Sequence, residues 1–174
     1  MDVRCATRTE ASEFLQSLGM MLGDWGQLKD IDRESCRYER FQPRAQTLDL
    51  YELARVLLDW VGFQNRMLLQ FDNSTMFQED EPSVIRALGF DEILSGEHES
   101  RTLIVDTASD ENSSVRAKLV LLIVFGISFE WNMYFVSSES ARGQGLGLLD
   151  GVVCFFGDEA RLSESINIIE RFGV

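Results

Sequence analysis

The chain has 174 residues, 45% hydrophobic and 26% charged, which is ordinary for a globular protein and enough to bury one core. Asp and Glu number 29 against 16 Lys and Arg, a net charge of −13 spread over both halves of the chain, which disfavours nucleic acid and anionic membrane and attracts basic partners. Cys5, Cys36 and Cys154 are too scattered for a disulfide framework, the N-terminus has no signal-peptide pattern, and the longest apolar run, Leu119 to Phe129, is far short of the roughly 20 residues that span a bilayer, so a cytoplasmic location is expected.

Along the chain, helical spacing of Phe14, Leu15, Leu18, Met21 and Leu22 predicts a first helix over residues 9–22, with Thr9 as N-cap and Gly23 as its end. Asp24-Trp25-Gly26 reads as a loop. Residues 34–41 alternate loosely and carry charges suited to an edge strand. Leu50, Leu53, Ala54, Leu57, Leu58 and Val61 form a stripe that predicts a strong helix over 48–61, capped by Thr47 and stopped by Gly62. Residues 66–71 read as a strand with Met67, Leu69 and Phe71 on one face.

Asp72 to Pro82 reads as a polar loop, with Phe77 exposed beside the acids Glu79, Asp80 and Glu81. A helix is expected over 83–94, interrupted near Gly89. His98, the one histidine, falls in a second loop, and Thr102 to Val105 suits a short strand. The run 114–129 has the β-branched content of a strand, but its length favours a helix. Trp131 to Val136 and Val152 to Phe156 read as strands on either side of a glycine-rich turn, Arg142 to Gly147. A last helix over 159–171 turns Leu162, Ile166 and Ile169 inward. The class is α+β (mixed α/β): a single domain over residues 1–174, with one central sheet of four to five strands and helices packed against it.

Few residue patterns carry chemistry. One histidine and unspaced cysteines give no metal site, and no nucleophile–base pair stands out, so no catalytic, cofactor-binding or metal-ligating residue is assigned. Trp25, Trp60 and Trp131 read as core anchors. Arg142-Gly143-Gln144-Gly145-Leu146-Gly147 resembles the pyrophosphate loop of the GCN5-related acetyltransferases. Glycines there would let backbone N–H groups approach the phosphates of acetyl-coenzyme A. Gly151 and the short remainder of the chain speak against the helix that this loop should open, and a hairpin connection is the competing reading. The acidic loop has the make-up of a charged recognition patch with an apolar anchor, which makes Phe77, Glu79, Asp80 and Glu81 the candidate partner-binding residues.

The order of elements from about Thr47 to Asp158 resembles that of the immunity proteins of bacterial polymorphic toxin systems, including contact-dependent growth inhibition. The segments that carry the resemblance are Leu48–Asp72, the acidic loop, the apolar helix ending in FEWNMYFVSS, and LLDGVVCFFGDEA. It implies a small acidic cytoplasmic protein, without catalytic residues, that binds and blocks a cognate toxin domain, often a basic nuclease. It transfers no contact residues. The alternative function is an acetyl-coenzyme A-dependent N-acetyltransferase using the Arg142–Gly147 loop.

Overall fold

A computed structural model describes residues 2–23, 28–30, 38–44, 47–63, 65–71, 77–95, 101–106, 112–140 and 143–174. The first half of the chain forms β1 (Asp2–Cys5), α1 (Arg8–Ser17), β2 (Met20–Leu22), β3 (Leu28–Asp30), β4 (Tyr38–Phe41), α2 (Thr47–Val61) and β5 (Arg66–Phe71). The second half forms α3 (Glu81–Leu88), α4 (Glu92–Ser95), β6 (Thr102–Asp106), α5 (Asn112–Ser128), β7 (Met133–Ser137), β8 (Gly145–Leu149), β9 (Val152–Phe156) and α6 (Glu159–Phe172).

Seven strands form one antiparallel sheet in the order β1-β6-β5-β7-β8-β9-β4. The mixed α/β class holds, but the sheet is wider than the four to five strands expected. The two extra strands are β1, at the very start of the chain, and β8, whose glycines conceal a strand pattern. β2 and β3 pair separately as a two-stranded hairpin.

Side chains along each strand alternate between the two faces, and the central strands are buried on both. Met67, Leu69 and Phe71 of β5 meet α2, α3 and α5, whereas Leu68 of the same strand meets α1 and β2. A strand used on both sides reads as a continuous apolar run. The helical side holds the larger core, including Leu57, Leu58, Leu122, Ile123, Phe135 and Phe155. The other side is closed by Ala11, Leu15, Met20 and Leu28 over Tyr134, Val136, Cys154 and Phe156.

Local chemistry sets the boundaries. α1 begins earlier than expected, because Thr7 and Glu10 make a reciprocal capping box. The Glu10 carboxylate accepts from Thr7 N–H at 2.9 Å, and Glu10 N–H donates to Thr7 Oγ1 at 3.2 Å. The Thr7 N–H, and after it the Thr7 hydroxyl, which also donates to the carboxylate, hold the Glu10 carboxyl below the usual range. The helix ends at Ser17, and Gly19 at φ 70° turns the chain, so Met20–Leu22 become strand, not the helix's last turn. Gly89 at φ 79° separates α3 from α4, in line with the expected interruption. α6 is capped by Asp158, which accepts from Arg161 N–H at 2.9 Å.

Ile166 corrects the expected inward face of α6: it is 49% exposed, while Ser165, Ile168 and Phe172 are buried. Ser165, Ile168 and Phe172 share the buried face at three- and four-residue spacing, and Ile166, one position past Ser165, falls outside it. Asp24-Trp25-Gly26, residues 34–37 with Cys36, the His98 loop and Arg142 lie outside the described residues.

Candidate functional site

Trp131 is the fixed point of the candidate site. It lies just beyond α5 and is fully buried. α5 ends in a Schellman motif: Trp131 N–H donates to the Gly126 carbonyl at 2.8 Å and Glu130 N–H to the Ile127 carbonyl at 3.4 Å, with Glu130 in the left-handed region at φ 56°. The indole is ringed by aromatics, with centroids at 6.0 Å to Phe71, 5.5 Å to Phe77 and 5.5 Å to Phe129. Phe129 stacks in turn on Phe125 at 5.7 Å.

The acidic triplet is divided by this cluster. Glu79 and Asp80 are exposed. Glu81 is not: it is 4% exposed, opens α3, and is fixed from two sides. Its carboxylate accepts from Trp131 Nε1 and from Gln78 N–H, both at 2.9 Å. A buried indole N–H needs an acceptor, and Glu81 supplies it across 50 positions of sequence. Phe77 is half-buried, not exposed: its ring meets Phe71 edge-on at 5.7 Å and carries the Arg101 guanidinium at 5.3 Å. The four expected residues therefore do lie together, but Glu79 and Asp80 are the ones turned to solvent.

The outer face of α5 is a candidate surface that spacing alone does not single out. Leu121, Phe125 and Phe129 recur at four-residue spacing, and Leu121 and Phe129 are 37% and 38% exposed. The signal was present, since α5 is apolar on every side from Leu119 to Ile127. At its end Glu130 leans on the Asp150–Gly151 turn, where Asn132 donates to the Asp150 carboxylate at 3.1 Å and Asp150 N–H donates to Asn132 Oδ1 at 2.7 Å.

The glycine-rich segment is not the turn expected over 142–147. Gly143, at φ 74°, donates its N–H to the Leu18 carbonyl, and the Gln144 amide donates to the Trp60 carbonyl at 2.8 Å. Gly145 and Gly147 lie inside β8. A Cβ on Gly147 would come within 2.8 Å of the Phe156 ring and 3.3 Å of Tyr134, so its glycine makes room for aromatics. β8 then leads into a two-residue turn, Asp150 at φ 51° and Gly151 at φ 77°, and on into strand β9, with no helix N-terminus at the loop.

Among the described residues, no three of His, Cys, Asp and Glu are grouped to hold a metal ion. Cys5 is exposed and its thiol donates to the Glu92 carbonyl. Cys154 is buried in the sheet, and that burial pushes its thiol up to about 11, against a smaller opposite pull from Arg40. Trp60 is half-buried and meets Phe155 edge-on at 4.8 Å. Among the described residues, no helix is long and apolar enough to cross a membrane. Compared with models of protein families, with curated proteins and with solved structures, the chain matches none.

Proposed function

We propose that this is a non-enzymatic immunity protein of the cytoplasm that binds a cognate basic toxin domain, of nuclease type, and neutralises it by covering its active site or substrate surface. The observation that carries the reading is the exposed Glu79–Asp80 pair beside the half-buried Phe77, on a body of charge −13. Charge of one sign steers a basic partner to encounter, and an apolar anchor at the same place then slows its release. Glu81 belongs to the support of this surface and not to its contacts, because Trp131 occupies its carboxylate.

Co-expression tests the reading. The reading expects a large secreted-toxin gene immediately upstream of this one, whose C-terminal domain, when induced, should arrest growth. Simultaneous expression of this chain should restore it. Arrest that persists despite a well-expressed, folded chain, or the lack of such an upstream gene, contradicts the proposal.

A further inference from the structure

We propose that the outer face of α5 is the docking site for a basic protein partner that lays an arginine-bearing apolar segment across Leu121, Phe125 and Phe129. This rests on the protein-binding reading above and names the surface it uses. A helix packed on a sheet needs one apolar stripe, and its opposite side is ordinarily polar. α5 satisfies the core with Leu119, Leu122 and Ile123, and still turns Leu121 and Phe129 to solvent, each more than a third exposed. The Phe125 and Phe129 rings are nearly parallel, at 7°, and Phe129 is backed by Trp131, which is itself held by Glu81. The surface is thus a preorganised aromatic shelf, which loses little side-chain freedom when it is covered.

Charge selects the occupant. Glu79 and Asp80 lie between Phe77 and Glu81, both of which touch Trp131, while Glu130 follows Phe129 in the chain and its side chain lies against Gly151. The C-terminal end of α5 adds its own negative partial charge, with no basic residue in its last turn. Two cations stand near this face: Arg101, over the Phe77 ring, and Lys118, about three turns of helix before Phe129. Glu130 also sits where the Schellman motif favours glycine, so a carboxylate is kept at a strained position on the rim. A second copy of this chain would oppose like charge to like charge, and an anionic bilayer would do the same. A guanidinium suits both features, because it stacks on ring faces and pairs with carboxylates, as Arg101 already stacks on Phe77.

The test is a chemical-shift titration of the full chain, labelled with nitrogen-15, against two synthetic amphipathic peptides. The peptides share one apolar face and carry arginines or glutamates on the other. The arginine peptide should bind saturably, with shifts confined to residues 77–80 and 118–131, and Phe129→Ser should weaken it about tenfold or more. Ile166→Ser, which removes a still more exposed apolar side chain on α6, should leave binding unchanged. Leu121→Ser replaces Phe129→Ser if the latter's melting curve shows loss of fold. Equal binding of the glutamate peptide, no saturable binding, shifts elsewhere, or indifference to Phe129→Ser would overturn the proposal. So would a wild-type dimer in the ultracentrifuge that Phe129→Ser makes monomeric, since a second copy would then own the face. A toxin domain that binds Phe129→Ser at full strength refutes this surface and spares the immunity reading. Peptide binding here without growth protection does the reverse.

Discussion

Glu81 and its two neighbours, Glu79 and Asp80, are the same chemistry in sequence and different chemistry in the fold. Removing the Glu81 carboxylate leaves the Trp131 N–H buried without an acceptor and frees the Gln78 N–H as well. Glu81→Ala should therefore lower the stability of the chain by about 1–3 kcal/mol, the desolvation penalty of an unsatisfied buried group. Glu79→Gln with Asp80→Asn should barely move it, because both side chains are exposed. Thermal melts of the two variants decide this, and equal melting temperatures would show that Glu81 does not support Trp131. The three acids could be read as a patch from sequence, but nothing there tells which one is buried, because its partner is 50 positions away. Phe129 was legible in kind and missed in place: an apolar residue in an apolar run is assigned to the core, and only packing shows that this one lies outside.

At the scale of elements, sequence pattern worked where one face dominates. The α2 stripe from Leu50 to Val61, β5 with Met67, Leu69 and Phe71 on one face, β6, α5 and β9 all stand where spacing placed them. It failed where a short element lacks such a face. β2 has three residues after Gly19 and continued the apparent period of α1, and β1 has only four residues. β8 failed for another reason: glycine signals a turn, whereas Gly147 is a strand residue whose missing side chain admits Phe156 and Tyr134. That assignment makes a direct prediction. Gly147→Val puts two methyl groups where an aromatic ring already sits and should destabilise the chain by about 1–3 kcal/mol through overpacking. Gly143→Ala costs its left-handed backbone, about 1–2 kcal/mol. Urea unfolding compares the two, and a Gly147→Val midpoint equal to wild type would remove Gly147 from the packed interior.

At the scale of the whole molecule, the two sheet faces divide the work. α1 and the β2–β3 hairpin close one side, while α2, α3, α5 and α6 cover the other and carry the aromatic surface at the end of α5. The sheet fixes Trp131 through Phe71, and Trp131 fixes Phe77 and Phe129, so the exposed shelf inherits the rigidity of the core. The net charge of −13 acts on top of this scaffold, over a screening length of about 8–10 Å at ordinary salt. Charge outside a contact acts chiefly on association, and the buried apolar anchor on dissociation. The proposed function is electrostatic capture of a basic toxin domain, and surface plasmon resonance at low and high salt reads the rate of that capture. Association with the upstream-encoded toxin domain should slow by about tenfold or more as salt rises, with the dissociation rate little changed, and Glu79→Gln with Asp80→Asn should slow it at low salt and flatten the dependence. An association rate indifferent to salt, and identical in the double variant, would contradict the account.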